Sequence, residues 1–156
     1  MSLVVIDTGP ERASRRKWIN QFQYVTATLF VVDLLCYDEV LDTSNTMESM
    51  VGVFESVVNS RWFTTSTMIL LLNNVSAFRE KLFASPFGAY FMDYTGKNDF
   101  REVMGYLVEK FSKVNETSKE IYVHLMDPHD PTTIETIFAA INDSLAGKPD
   151  PRQPGS

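Results

Sequence analysis

Apolar residues along this chain fall into two patterns, short continuous runs and stripes at helical spacing. Leu3-Val4-Val5-Ile6 is a run that ends in Asp-Thr-Gly-Pro, which predicts a buried strand feeding a loop. Val25 to Val32 is rich in β-branched residues and predicts a second buried strand. Thr67 to Leu72 predicts a third strand ending at Asn73, and Glu120 to Met126 a fourth. Between them, Met47, Met50, Val51, Phe54, Val57 and Val58 form a helical stripe over 45–59. Phe100, Val103, Met104, Leu107, Val108 and Phe111 form a second stripe, and Ile134, Ile137, Phe138, Ile141 and Leu145 a third. The last helix carries a start signal, Pro131 before Thr132 with Glu135 three residues on, which is capping-box spacing; Gly147 ends it. Residues 11–18 are polar and basic up to Trp18 and suit an exposed helix or a loop.

Strands that alternate with helices predict an α/β fold with a mainly parallel sheet and helices on both faces. In such sheets ligands sit beyond the carboxyl ends of the strands. The loops after Ile6, Leu72 and Met126 are therefore the candidate site. Residues 1–146 read as one domain, and 147–156, with Pro149, Pro151 and Pro154, as a disordered tail.

Composition narrows the function. The net charge of −6 gives no general attraction for nucleic acid or an anionic membrane. Cys36 is the only cysteine, so an internal disulfide is impossible, and it reads most simply as a small hydrophobe. The apolar runs are far too short for a transmembrane span, and the N-terminus shows neither a signal peptide nor, with Ser2 in place of Gly, an N-myristoylation signal. His129 has no Cys or His at metal-ligand spacing and reads as a loop histidine. Met47, Met50 and Met68 read as core fillers.

The three loops and their flanks carry a resemblance. Ile6-Asp7-Thr8-Gly9-Pro10-Glu11-Arg12-Ala13-Ser14-Arg15-Arg16-Lys17-Trp18 resembles the switch II segment D-V-G-G-Q-R-S-E-R-x-K-W of heterotrimeric G-protein α subunits. Arg61-Trp62-Phe63 followed by a strand ending Leu72-Asn73 resembles that family's K/R-W-F leading to L-N-K-x-D. Glu80-Lys81, Ser85-Pro86 and Lys119-Glu120-Ile121-Tyr122-Val123-His124 are similar to later family segments, so the likeness runs from about Leu3 to about Ile141. It implies an incomplete Ras-like three-layer α/β/α domain of the P-loop NTPase class, lacking the phosphate-loop strand. In the family that strand lies between the strands corresponding to Leu3–Ile6 and Val25–Val32. Its absence predicts either that these two neighbours close up or that their edges stay open to pairing with another chain.

The departures fall where the family does its chemistry. There catalysis rests on a phosphate-cradling loop, Mg²⁺, an arginine in cis and a water-positioning Gln. No G-x-x-x-x-G-K-[ST] occurs in this chain. Of the Mg²⁺ site only Asp7 corresponds. After Gly9, Pro10 stands where a Gly N–H senses the γ-phosphate, and proline has no N–H. Glu11 stands at the Gln position, where an ionised carboxylate cannot donate a hydrogen bond. In the base-recognition loop Asn73 is kept, but Asn74 replaces the family Lys and Ser76 the family Asp. After the last strand the family reads T-C-A-T; here Met126-Asp127-Pro128-His129 puts Pro128 where an Ala N–H faces the base.

The resemblance thus implies a protein of G-protein-coupled signalling that binds no nucleotide: no GTP, GDP or Mg²⁺ is expected for this chain and no intact catalytic residue. Its expected role is an interaction module for the Gβγ dimer or an effector, in the cytoplasm or at the inner face of the plasma membrane. The alternatives are a GTPase signal transducer completed by a separately supplied N-terminal half, and a truncated product without function. Arg12, Arg15, Arg16, Lys17, Trp18 and Phe22 match the family's partner-binding segment, whose other reading is a solvated basic helix with Trp18 in the core. Trp62 and Phe63 match the effector-facing loop, with core packing as their other reading. The family Glu that latches switch II corresponds to Ser49, with Glu48 adjacent. The three prolines of the tail argue against the helical continuation that reads receptors.

Overall fold

The computed structural model describes residues 25–146. The strand expected at Leu3–Ile6, the basic segment up to Phe22 and the tail from 147 onward lie outside the described residues.

Three parallel strands form the sheet: β1 (Ala27–Asp33), β4 (Thr67–Asn73) and β5 (Ile121–Met126), in the order β1-β4-β5. β1 and β4 run in register from Ala27↔Thr67 to Asp33↔Asn73, and β4 and β5 from Met68↔Ile121 to Asn73↔Met126. Thr67 to Leu72 is buried throughout, as a central parallel strand covered on both faces must be. Side chains alternate across it. Met68, Leu70 and Leu72 join the main core with Phe30 and Val32 of β1, while Ile69 and Leu71 join a second cluster.

The main core is filled by three helices. These are α1 (Thr46–Val58), α2 (Val75–Ala84) and α3 (Phe100–Lys113). α1 contributes Met47, Val51, Phe54 and Val58, α2 Phe78 and Leu82, and α3 Val103, Met104, Leu107 and Phe111. On the opposite face α4 (Pro131–Leu145) lays Ile137, Ile141 and Leu145 against Ile69 and Leu71. The result is the expected three-layer α/β arrangement. A small hairpin, β2 (Val40–Leu41) with β3 (Ser44–Asn45), turns the chain into α1.

The caps explain where the helices begin. The side chain of Asn45 accepts from the Glu48 N–H, and that of Asp99 from the Glu102 N–H. α4 corrects an expectation. Its cap is Asp130, whose carboxylate accepts from the Thr132 N–H, and Pro131 sits at the first helical position. Thr132 lies inside the helix and donates its own hydroxyl to Asp130. α2 had no counterpart in the hydrophobic pattern. It is ten residues long, and Phe83, which would widen its stripe, is 88% exposed.

Among the described residues, β1 has β4 as its only strand partner. On the face toward α4, Leu29 and Val31 stay exposed. The methionine and cysteine readings hold: Met47 and Met68 are fully buried, Met50 packs against the core, and Cys36 is buried. Burial, with Asp33 and Glu39 nearby, pushes the Cys36 thiol up to about 12. Only about one thiol in ten thousand would then be ionised at pH 8. Iodoacetamide at pH 8 is therefore expected to leave native Cys36 unmodified over an hour and to alkylate it rapidly in 6 M guanidinium, read by intact mass. Rapid labelling of the native protein would show that the 34–38 turn opens.

Candidate functional site

The candidate site is the rim formed by the carboxyl ends of β1, β4 and β5. Asp33 ends β1, Asn73 ends β4 and is followed by Asn74 and Ser76, and Asp127, Pro128 and His129 follow β5. The register places Asp33, Asn73 and Met126 side by side at the mouth of the sheet.

Asn74 has a left-handed backbone, φ 67° and ψ 40°, a conformation asparagine tolerates better than most residues. That turn swings the chain from β4 into α2. Asn74 makes no cap bond to α2; its side-chain amide instead donates to Asp33 Oδ1 at 2.8 Å. The same Asp33 oxygen accepts from the Leu35 N–H at 3.0 Å. Asp33 thus joins the end of β1 to the turn after β4.

Ser76 lies in the first turn of α2, where backbone N–H groups have no partner within the helix. Its N–H donates to Asp127 Oδ1 at 2.9 Å and its hydroxyl to Asp127 Oδ2 at 2.6 Å. The cap of α2 therefore comes from the loop after β5, and the carboxylate also meets the positive end of the helix dipole. Asp127 is itself held. Its N–H donates to Thr133 Oγ1 at 3.4 Å, and the Thr133 hydroxyl lies 3.1 Å from the Asp127 carbonyl. Next along the loop, the Thr132 hydroxyl and N–H hold the Asp130 carboxyl below the usual carboxylate range. His129 is exposed.

At the rim the Ser76 N–H and hydroxyl and the Asn74 side-chain amide are thus taken up by the carboxylates of Asp127 and Asp33. The structure brings Asn74, Ser76 and the loop containing Pro128 to one rim. It adds two residues to which the sequence reading gave no role, Asp33 and Asp127. A signal for Asp127 existed, because a carboxylate missing at 76 is matched by one present in the facing loop. Asn73 Oδ1 is buried and makes no hydrogen bond.

The outer candidates separate. Phe63 is buried, whereas Trp62 is 37% exposed in the turn Arg61–Phe63, with the Arg61 guanidinium 4.7 Å from its ring centroid. Core packing therefore holds for Phe63 and surface exposure for Trp62. Ser49 donates its hydroxyl to the Asn45 carbonyl. Glu48 pairs with Lys110 of α3 at 2.7 Å, and Lys110 also lies 3.0 Å from the Tyr106 hydroxyl. Burial opposes the Lys110 charge, but Glu48 and Tyr106 outweigh it and hold the ammonium above the usual lysine range. Asp7, Gly9, Pro10, Glu11, Arg12, Arg15, Arg16, Lys17, Trp18 and Phe22 lie outside the described residues. A shallow groove of about 160 Å³ between β5 and α4, lined by His124, Leu125, Thr132, Thr133, Thr136 and Ile137, is well below the size of drug-like ligand pockets. No helix among the described residues is long and apolar enough to cross a membrane.

Comparison with known proteins agrees with this layout. The family model described as "G-protein alpha subunit" matches residues 1–145. The chain is 40% identical over 148 residues to the "Guanine nucleotide-binding protein alpha-3 subunit" of Neurospora crassa, covering 93% of this chain and 42% of that protein. It is 40% identical over 145 residues to the "Guanine nucleotide-binding protein subunit alpha" of Sporothrix schenckii, covering 90% of this chain and 41% of that one. A Cryphonectria parasitica protein with the same description is 39% identical over the same shares. The chain spans about two fifths of the length of these relatives.

Proposed function

The chain belongs to the G-protein α subunit family, and from that premise we propose that it serves G-protein signalling as an interaction module that docks Gβγ or an effector without a nucleotide switch. The observation that carries the nucleotide-independent half of this reading is the bonding at the rim. Ser76 is bound at both its donors by Asp127, and Asn74 is turned onto Asp33. Side chains at two positions that the family directs at a base are here directed at Asp33 and Asp127. Pro10, Glu11 and Pro128 add two positions without an N–H and one anion where the family offers a neutral donor. The docking half rests on Arg12, Arg15, Arg16, Lys17 and Trp18, four cations and an indole within seven positions. Arginine and tryptophan are over-represented among residues that dominate binding energy at interfaces. Glu48, next to the position of the family's latch residue, is engaged with Lys110.

Two measurements test the reading. GTPγS and GDP, each titrated with Mg²⁺, should leave the melting temperature unchanged; a ligand at a hundred times its Kd would stabilise the native state by about 2.7 kcal/mol. Immobilised Gβγ should retain the wild-type chain, and the charge-reversed pair Arg15→Glu with Arg16→Glu should weaken retention at least about tenfold. A nucleotide-dependent shift would remove the nucleotide-independent half. Equal retention of both proteins would remove the docking segment.

A further inference from the structure

We propose that β1 is the seam of a two-fold dimer, in which a second copy of this chain lays its own β1 antiparallel along the free edge. Among the described residues β1 pairs with β4 alone, which leaves the backbone groups on its other side without a strand partner. Edge strands are usually blunted by shortness, a lysine, a proline or a bulge. β1 has none of these. Its seven residues run in unbroken register and carry one charge, Asp33 at the end. The face beside the edge is apolar as well. Leu29 and Val31 stand beside Ile69 and Leu71, on the side of the sheet where α4 packs, yet they are 43% and 49% exposed. Ile137 of α4 lies over β5, in the groove with His124 and Leu125. Phe138, about 100° further round the helix, is on the flank toward β1 and is 50% exposed. Leu29, Val31 and Phe138 therefore bound one uncovered apolar trough. The opposite edge differs, since the groove beside β5 is lined by Thr132, Thr133 and Thr136 as well as His124.

A two-fold centred on Phe30 makes this edge complementary to itself. It sets Leu29 opposite the second copy's Val31, and Val31 opposite the second copy's Leu29, on one face of the joined sheet. Asp33 falls opposite the second copy's Ala27, so no like charges meet across the seam. The two Phe138 rings then flank a strip of four aliphatic side chains, and each three-stranded sheet continues into the other. Backbone pairing and apolar burial thus act on the same residues. The inference uses neither the nucleotide reading nor the basic docking segment.

The test is sedimentation equilibrium of the full chain without nucleotide, from micromolar to several hundred micromolar. The wild-type mass should rise to that of two chains and level off there. Leu29→Lys with Val31→Lys places lysine opposite lysine at both pairs and should weaken association at least about tenfold, as should Leu29→Glu with Val31→Glu. Mixed in equal amounts, the two variants should associate again, since each lysine then faces a glutamate. A wild type that keeps the mass of one chain at every concentration, as when an upstream segment of the same chain takes the edge, would overturn the proposal. So would a mass that climbs past two chains without a plateau, a dimer indifferent to both variants, or a mixture no more associated than its parts. Should either double variant yield no folded protein, Leu29→Lys is compared with Leu125→Lys, an equally exposed site on the other edge strand. Only Leu29→Lys should lose the dimer, and equal behaviour of the two would overturn the seam.

Discussion

Phe54→Ala is expected to abolish cooperative folding at 37 °C. Phe54 sits at the middle of α1 with no exposure to solvent, between the sheet and α3. Its ring meets Phe30 of β1 edge-on at 5.1 Å and Phe111 of α3 at 5.5 Å. Cutting it to a methyl group removes the contact that ties β1, α1 and α3 together in the main core, at a cost of about 3–5 kcal/mol. A domain of this size has about 5–15 kcal/mol in total. Phe54→Leu keeps most of the volume and should melt cooperatively at a lower temperature, so the pair separates lost packing from lost aromatic contact. Urea denaturation followed by far-ultraviolet circular dichroism reads both. A Phe54→Ala protein with an unchanged midpoint would mean that the core collapses around the cavity.

Such a core was readable from the sequence where burial is continuous or periodic. Thr67 to Leu72 needed no neighbour to be recognised, since an uninterrupted apolar run between polar loops fits a strand covered on both faces. The stripes of α1, α3 and α4 were readable for the same reason. α2 was not, because its buried positions reduce to Phe78 and Leu82 while Phe83 points outward. The start of α4 was misplaced by two residues because Asp130 and Thr132 are both good caps, and the choice between them is made by Thr133. Its hydroxyl turns to the carbonyls of Asp127 and Asp130 and fixes where the loop stops.

The site divides along the same line. Which positions depart from the family, at 74, 76 and 128, is a property of the sequence. What replaces the lost contacts is not, since Ser76 finds its partner 51 residues away and Asn74 finds its own 41 residues away. The strand ends bring those residues to one rim, and only the parallel register decides which of them meet. Substitutions at a binding loop therefore reveal that an old contact is gone. The new bonds, made to Asp33 and Asp127, show how the loop is held instead.

Phe87 shows the same limit in the packing, and its removal is the second large effect. It lies in the single turn Phe87–Ala89 between α2 and α3, in a stretch with no periodic pattern. Its ring stacks on Phe91 at 4.3 Å and 3°, and meets Tyr94 at 5.1 Å and Tyr106 at 5.6 Å edge-on. Its N–H donates to Asn98, whose amide in turn donates to the Leu82 carbonyl, so the loop closes on itself around the ring. Phe87→Ala should also cost about 3–5 kcal/mol. Its consequence should differ from that of Phe54→Ala, because most of these ring partners belong to the connecting segment and α3, not to the sheet. Amide exchange across 85–99 should accelerate far more than exchange in β4, as expected when one locally packed unit opens before the rest. Equal acceleration in both would make the aromatic cluster part of the global folding unit, and the segment from α2 to α3 would then be as indispensable to the sheet as α1.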